Sequence, residues 1–326
     1  MPRPSHAERP VIFLPPRWNI KRGLNGDFLF KGVTVLFAIS ILGILLLMAV
    51  SMYRQSLPSI HTSGWSFIPG KEWDPVGGTF GALPYIYGSL VSSLLSLALA
   101  TPLSIATALF ITEVANRRVG GMIAALVELL AAIPSVIYGL WGVLVMAPWL
   151  QRTVEPFLND HLGFLPFFSG PPYGVSMLAA VLILMIMIVP IITSITKEVL
   201  LAIPDSQREA AVALGATRWE MIRMAVLPYG RSGILGAVIL GLGRAIGETM
   251  AVTMVIGNTP KISLSLLDPA YTMPSVIANE FAEASSDLHA AALMEIGLLL
   301  LVVTLIINSL ARLLLWGVNR PTGGQA

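Results

Sequence analysis

The stretch GLGRAIGETMA, residues 241–251, places Arg244 and Glu248 inside an apolar run that extends over residues 231–256. A charged side chain at membrane depth costs about 2.5–3.5 kcal/mol on insertion scales, so such residues pair or face protein or a water-filled path. At positions i and i+4, the two side chains share one helix face and can reach each other. The stretch predicts an ion pair in a membrane-spanning helix, which acts either as a structural link between helices or as a polar gate on a solute route.

The composition extends this prediction to the whole chain. Of the 326 residues, 55% are hydrophobic and 12% are charged, with a mean hydropathy of +0.79. Soluble domains contain about 25% charged residues. Six apolar runs are each long enough to cross a hydrocarbon core of about 30 Å as a helix. We therefore predict an all-α integral membrane protein with spans at about 31–53, 84–112, 121–147, 173–196, 231–256 and 290–316.

The basic residues predict the orientation of these spans. Of the 20 Lys and Arg residues, 15 lie in segments 1–31, 113–120, 197–231 and 312–326. The positive-inside rule places those segments in the cytoplasm, so the protein spans the cytoplasmic membrane with both termini inside. The basic excess then reflects contact with membrane lipid and not with nucleic acid. We expect a mobile cytoplasmic tail at 1–30, a membrane domain at 31–317 and a cytoplasmic C-terminal tail at 318–326.

Cofactor and metal sites are not expected. The chain has no cysteine, and its four histidines lie outside the predicted spans and far apart in sequence, as solvated loop residues would. Gly241-x-Gly243 has no third glycine at the required spacing and follows no strand, so it is not a dinucleotide fingerprint. The sequence has no G-x-x-x-x-G-K-[ST] loop, so any ATP hydrolysis belongs to a partner.

Further polar and small residues lie inside the spans. Glu128 is a third charge at membrane depth, and it either snorkels from a helix end or belongs to the pathway. Pro134 and the adjacent Ser135 are candidates for the pathway or for helix packing. In the fifth span, we expect glycines to allow close approach of another backbone. These are Gly236, Gly241, Gly243 and Gly247.

The loop 197–230 predicts two short helices. Ser206 with Glu209, and Thr217 with Glu220, each fit a capping box that begins a helix. Gly215 suits the left-handed position that ends the first helix, and Pro228 would close the second. Trp219, Ile222 and Val226 then form an apolar ridge along one face. Such a ridge fits a groove in a partner protein, or alternatively the membrane surface.

The residues of this loop resemble a known family. Glu209-Ala-Ala-x-x-x-Gly215, followed by Pro228, resembles the EAA loop of ABC-importer permeases. The resemblance implies a type I (MetI-like) permease bundle and a coupling helix that enters a cleft of an ATPase subunit. The residues assigned to coupling in this way are Glu209, Ala210, Ala211, Gly215, Ala216, Trp219 and Pro228.

Three further stretches are similar to the phosphate-specific (Pst) importer family. They are FGALPYIYGS at 80–89, ELLAAIPSVIYG at 128–139 and GRAIGETMA at 243–251, the last of which resembles PstC subunits and not the sister PstA subunits. The resemblance implies a sister PstA-like permease, two PstB-like ATPase subunits and an external PstS-like phosphate-binding protein. Arg244 would then meet or gate inorganic phosphate, while Glu248 holds the arginine. The chain itself would catalyse no covalent chemistry.

Two alternatives remain open at this stage. Arg244 would attract sulfate or molybdate as well as phosphate, so physical chemistry alone does not select the oxyanion. A secondary transporter that works without an ATPase is the second alternative. The EAA loop argues against it, because a self-sufficient transporter has no use for a docking helix.

Overall fold

The computed structural model describes residues 20–318, and it is almost entirely helical. Its helices are α1 Ile20–Ser63, α2 Leu83–Leu109, α3 Arg117–Ala132, α4 Ser135–Trp141, α5 Ala147–Trp149, α6 Glu155–Leu162, α7 Met177–Leu201, α8 Asp205–Ala213, α9 Arg218–Met221, α10 Leu227–Ile246, α11 Met250–Val255, α12 Met273–Glu280 and α13 Asp287–Val318. Two short strands, β1 (Trp73–Asp74) and β2 (Thr79–Phe80), form an antiparallel hairpin between α1 and α2.

Wider and tighter helical turns join several of these helices. The π-turns are Phe110–Val114, Gly142–Met146, Leu150–Val154 and Ile222–Val226. The 3-10 turns are Gly64–Phe67, Pro166–Phe168 and Phe281–Glu283. The π-turn at Ile222–Val226 joins α9 to α10 without a break, so Arg218–Ile246 forms one long helix.

Five helical segments are long and apolar enough to cross a membrane. A sixth candidate is the pair Arg117–Ala132 and Ser135–Leu162, which is bent by 91°. Within the described residues, these elements confirm the predicted all-α membrane fold, with five spans, or the predicted six if the bent pair is one span. Helix α1 already begins at Ile20, inside the predicted tail. Residues 1–19 of that tail and residues 319–326 of the predicted C-terminal tail lie outside the described residues.

Helix α7 is the centre of the packed core. Its side chains Ile183, Leu184 and Ile188 are fully or almost fully buried, and the helix packs mainly against α2 and α10. Serines of α2 make this close approach possible. Ser96 donates a hydrogen bond to the Val181 carbonyl at 2.9 Å, and other small polar residues of α2 are also buried. The interface between α2 and α7 is thus held by both small-residue contacts and hydrogen bonds between helices.

The third predicted span is broken at Pro134. Ile133 adopts an extended conformation with ψ 128°, as expected of a residue before proline. Pro134 has no N–H to donate to the carbonyl of Leu130, one helical turn earlier. The Tyr138 hydroxyl instead donates to this carbonyl at 2.8 Å. The bend between α3 and α4 is therefore a fixed feature whose freed backbone acceptor is satisfied.

The fifth predicted span is broken at residues 247–249. Helix α10 ends at Ile246 and α11 begins at Met250. Within the described residues of this chain, one of the four glycines, Gly241, has a close neighbour, and that neighbour is a side chain and not a backbone. A Cβ at Gly241 would lie 2.7 Å from Ile192, whereas one at Gly236 would meet nothing within 4 Å. A close approach between two backbones in this region lies elsewhere, at Gly139 of α4.

Candidate functional site

Arg244 and Glu248 form the predicted ion pair at the break between α10 and α11. Arg244 Nη2 lies 3.2 Å from Glu248 Oε2, and the Glu248 side chain is 3% exposed whereas that of Arg244 is 46% exposed. Glu248 Oε1 also accepts a hydrogen bond from the Ala251 N–H at 3.3 Å. The pair thus joins a buried carboxylate, which contacts both Arg244 and the Ala251 N–H, to an arginine whose side chain is nearly half exposed.

The helix ends favour these two charges. Arg244 lies in the last turn of α10, where the exposed carbonyls attract a cation. Glu248 lies two residues before the start of α11, where free N–H groups attract an anion. The break therefore gives the pair a local electrostatic setting that a continuous helix would not provide.

The two broken spans meet at α4 and α11. A Cβ on Gly139 of α4 would lie 2.9 Å from the Ala251 Cα of α11, so the two backbones touch at a site where only glycine fits. Discontinuous helices of this kind form solute sites in other transporters. Pro134 and Ser135 begin α4, with Pro134 exposed and Ser135 half-buried. The structure therefore brings the helix that they begin against α11, whose Ala251 N–H donates to Glu248.

Glu128 is joined to α7. Its carboxylate lies 3.0 Å from Lys197 Nζ, and Lys197 also reaches Glu198 at 3.2 Å. The Glu128 side chain is more than half exposed, while that of Lys197 is largely buried. Glu128 thus links α3 to the end of α7. Its ion pair with Lys197 is separate from the ion pair of Arg244 and Glu248.

The loop 197–230 confirms one of the two predicted capping boxes. The Thr217 hydroxyl accepts from the Glu220 N–H at 3.4 Å, and the Glu220 carboxylate accepts from the Thr217 N–H at 2.8 Å. The box at Ser206 is wrong, because Pro204 occupies the N-cap of α8 and the helix begins at Asp205.

Gly215 has the predicted left-handed backbone, with φ +86°. It turns the chain from α8 to α9 and borders a groove of about 720 Å³. Five of the seven coupling candidates line this groove. They are Ala210, Ala211, Gly215, Ala216 and Pro228. The other two, Glu209 and Trp219, are exposed beside it.

The predicted apolar ridge and the predicted helix end at Pro228 are both wrong. Ile222 and Val226 are buried in a cluster with Leu200 of α7, so only Trp219 of the ridge remains exposed. Pro228 lies in the first turn of α10, and the helix continues past it. Proline lacks the backbone N–H that a continuous α-helix uses at each position, and the π-turn just before Pro228 changes the backbone hydrogen-bond pattern there. The apolar side chains exposed at this end are Val212, Leu214, Trp219 and Met224.

Sequence analysis missed two polar clusters. At the loop 197–230, Arg208 pairs with Glu113, a residue of the π-turn that follows α2. At the opposite end, Glu280 accepts from the Trp73 indole N–H at 2.8 Å and lies 3.1 Å from His289 Nε2. His289 is buried and stacks on Phe80, so it is not a solvated loop residue. No local pattern marks these pairs, because their members are distant in sequence.

A family model matches residues 100–319, more than half of the chain. Its description is binding-protein-dependent transport system inner membrane component. The matched range contains both broken spans, the loop 197–230 and the Arg244–Glu248 pair. The candidate site therefore lies within the part of the chain that is typical of the family.

Curated relatives cover nearly the whole chain. It is 45% identical over 308 residues to the phosphate transport system permease protein PstC of Mesorhizobium japonicum, a match that covers 93% of this chain and 94% of that protein. The protein of the same name from Haemophilus influenzae is 43% identical, with coverage of 91% and 95%. PstC 2 of Mycobacterium tuberculosis is 39% identical, with coverage of 90% and 93%.

Solved structures share the fold at lower identity. A bacterial ABC transporter involved in alginate import gives a TM-score of 0.59 at 20% identity, covering 90% of this chain and 99% of that chain. An inward-facing form of the MetNI methionine ABC transporter gives a TM-score of 0.53 at 19% identity, covering 72% and 94%. These similarities confirm the predicted type I importer permease fold.

Proposed function

The chain belongs to the family of binding-protein-dependent transport system inner membrane components, and we propose that it is the permease subunit through which an ATP-driven importer moves inorganic phosphate across the membrane. It is a multi-pass membrane protein and a transport subunit. The observation that carries the choice of phosphate is the 39–45% identity, over at least 90% of the chain, to relatives named as phosphate permeases.

The proposed complex contains three further kinds of component. A PstA-like sister permease completes the path, two PstB-like subunits hydrolyse ATP, and a PstS-like protein delivers phosphate from outside the cytoplasmic membrane of a bacterium or archaeon. The relation to binding-protein-dependent systems supports this composition. Because the chain has no phosphate-cradling loop of its own, ATP must be hydrolysed by a partner.

The cytoplasmic loop is the proposed contact with the ATPase. Helix α8 has no buried side chain, and apolar side chains such as Leu214 and Trp219 are exposed next to it. An exposed helix with apolar neighbours is suited to a groove on a partner. When ATP closes the ATPase pair, α8 moves with it and the membrane helices open the path outward.

Arg244 is the proposed anion-facing residue. Its guanidinium is a planar cation that can bind an oxyanion through paired N–H donors, and the partly exposed side chain can meet a phosphate in the path between the two permeases. Glu248 anchors the arginine and places a negative charge next to the route. Such a pair attracts the anion and limits its residence, because a path must release what it binds.

A permease for sulfate or molybdate is the alternative within the same class. Arg244 would attract those oxyanions too, and only the similarity to phosphate permeases separates them. An ATPase-independent transporter is less well supported, because the exposed α8 and the family match both indicate a partner-driven system.

Reconstitution tests the proposal. The chain is co-expressed with its candidate sister permease and ATPase, purified in mild detergent, identified by its bound subunits and placed in proteoliposomes with the binding protein. We expect phosphate uptake that requires ATP and that excess sulfate or molybdate does not compete away. ATP-dependent uptake of sulfate alone would select the alternative, and uptake without any ATPase would refute the ATP-driven mechanism.

A further inference from the structure

Arg208 joins three elements at the loop 197–230. It lies on α8, and its guanidinium contacts Glu113 in the π-turn after α2, the Leu200 carbonyl in the last turn of α7 and the Ile203 carbonyl in the connection between α7 and α8. Its side chain is 19% exposed and that of Glu113 is 5% exposed. An ion pair this well shielded from water is screened far less by salt than a surface pair.

All five N–H donors of Arg208 are used. Nη2 donates to Glu113 Oε1 at 2.9 Å and to the Leu200 carbonyl at 2.8 Å. Nη1 donates to the Ile203 carbonyl at 2.7 Å and to Asp205 Oδ1 at 3.3 Å. Nε donates to the Glu113 carboxylate at 3.3 Å. Because the donors of arginine form a rigid planar fork, these contacts fix the position of α8 in more than one direction.

The Leu200 carbonyl that Arg208 contacts lies in the last turn of α7, whereas the Ile203 carbonyl lies in the connection between α7 and α8. The last carbonyls of a helix have no partner within it, and a cation there is favoured by the helix dipole. Arg208 thus caps α7 from α8 while it also holds the end of α2. One side chain therefore connects α2 and α7, the two membrane helices that pack most extensively against each other, to the short helix α8.

Other attachments of α8 are weak. None of its side chains is buried, and Ala211 is the member of α8 that packs partly against the cluster around Leu200. The chain enters α8 through Ala202–Pro204 and leaves it at Gly215, which are irregular segments. Without Arg208, α8 would be connected to α2 and α7 mainly through these irregular segments. A force on α8 would then reach the two membrane helices mainly through them.

We propose that Arg208 and Glu113 form the joint that transmits movement of α8 to α2 and α7. Arg208 is then a positioning residue for coupling and does not itself contact the ATPase or the transported anion. This inference rests on the proposed function, in which α8 is the element that the ATPase moves.

The decisive measurement is the number of anions taken up per ATP hydrolysed by the reconstituted complex. The variants are Arg208→Gln, Arg208→Lys and Glu113→Gln, with Asp205→Asn as the matched control. Asp205 is the exposed carboxylate partner of the same arginine, and exposed pairs contribute little. Assembly with the ATPase and ATP hydrolysis without the binding protein are measured on the same samples.

We expect Arg208→Gln and Glu113→Gln to assemble and hydrolyse ATP but to lose about fivefold or more of the uptake per ATP, within the usual range of coupling between sites. Arg208→Lys, which keeps the charge but not the fork, should lose less, and Asp205→Asn should match the unmodified chain. A purely structural role would lower uptake and hydrolysis together in proportion to the assembled complex.

Three outcomes would refute the proposed role of Arg208 and Glu113 as the joint. They are an unchanged ratio in assembled Arg208→Gln, an unchanged ratio in assembled Glu113→Gln, and failure of both variants to assemble, which would make the cluster a folding element. The unmodified complex separates this test from the proposed function. If it transports another oxyanion, the ratio is measured with that anion, and if it binds no ATPase, the proposed function itself fails.

Discussion

Arg244 and Glu248 have unequal surroundings, and this inequality separates their roles. Glu248 is buried and bonded to both Arg244 and the start of α11, so it contributes to the shape of the helix break. Arg244 is half-exposed and has room to meet a ligand or a partner. A structural role for both residues and a path role for Arg244 therefore predict different results when each charge is removed.

Replacing the arginine alone tests this distinction. Arg244→Gln should sharply reduce phosphate uptake while the complex still assembles and hydrolyses ATP. If the pair is only structural, the change leaves Glu248 buried without its partner. Removing one partner of a fully buried pair costs about 3–5 kcal/mol of stability. Poor assembly of Arg244→Gln, measured by co-purification of the ATPase, would then be the main effect.

The double variant Arg244→Gln with Glu248→Gln removes the unpaired charge. Continued ATP hydrolysis without uptake in this variant supports a place on the anion's route. Normal phosphate uptake in an assembled double variant would contradict the site assignment, because neither charge would then be needed for transport.

Gly215 gives a second prediction at this scale. Its φ of +86° is disfavoured for other residues by about 1–2 kcal/mol, and more for β-branched ones. A Cβ there meets nothing within 4 Å, so the cost of Gly215→Val lies in the backbone of the turn and not in a clash. We expect loss of ATPase binding or of stimulated hydrolysis while the membrane bundle stays folded.

A matched glycine controls for the side chain itself. Gly236→Val adds the same atoms in open space on α10, where the backbone is helical. It should retain ATPase binding. ATP-driven uptake by Gly215→Val at the level of the unmodified complex would refute the coupling role of this turn.

The residues predicted correctly from sequence depend on short-range physics. Thr217 and Glu220 are three positions apart, and the backbone at Gly215 is fixed by its own turn. Arg208 and Glu113 are 95 positions apart, so no local pattern connects them. Trp73, Glu280 and His289 also meet only after the chain has folded. Ionic partners across the bundle were therefore beyond the reach of sequence analysis.

At the scale of elements, a buried carboxylate fixes the entry into α7. Glu155, at the start of α6, is fully buried. It accepts hydrogen bonds from the Gly174 N–H at 2.8 Å and from the Ser176 hydroxyl at 2.9 Å. Ser176 in turn caps α7. The carboxylate therefore ties α6 to the first residues of the central helix.

Two substitutions at this position should differ in stability. Glu155→Leu leaves the buried Gly174 N–H and the Ser176 hydroxyl without this acceptor, at about 1–3 kcal/mol per unsatisfied group. Glu155→Gln retains an oxygen for Gly174 and can donate its amide to Ser176. The thermal unfolding temperature of the purified chain in detergent should fall markedly for Glu155→Leu only. An equal loss in both would show that the charge, and not hydrogen bonding, stabilises this entry.

The helices were predictable as apolar runs, but their interruptions were not. Pro134 was a candidate for the pathway or for helix packing, and the 91° bend at this residue involves the extended Ile133 and the Tyr138 hydroxyl, which donates to the freed carbonyl. Pro228 is also a proline, but it does not end its helix, because a π-turn precedes it. Proline alone therefore does not decide between a break and a continuous helix.

For the whole molecule, the bent pair determines the topology. If Arg117–Ala132 and Ser135–Leu162 together cross the membrane, the chain has six spans and both ends lie on one side. If the pair returns to the side on which it began, the chain has five spans, and every later loop changes sides. The loop 197–231 carries five Lys or Arg residues, against one in 148–172, which favours the crossing.

Reporter fusions test this arrangement directly. A reporter after residue 212 should be cytoplasmic, and reporters near Asp74 and Asp268 should be external, as read by an enzyme active on only one side of the membrane. Asp74 precedes the bent pair and serves as the control, because its side is the same with five or six spans. A re-entrant pair would move residue 212 outside and Asp268 inside while leaving Asp74 unchanged. An external residue 212 would place α8 beyond the reach of any cytoplasmic ATPase, and the coupling proposal would fail with it.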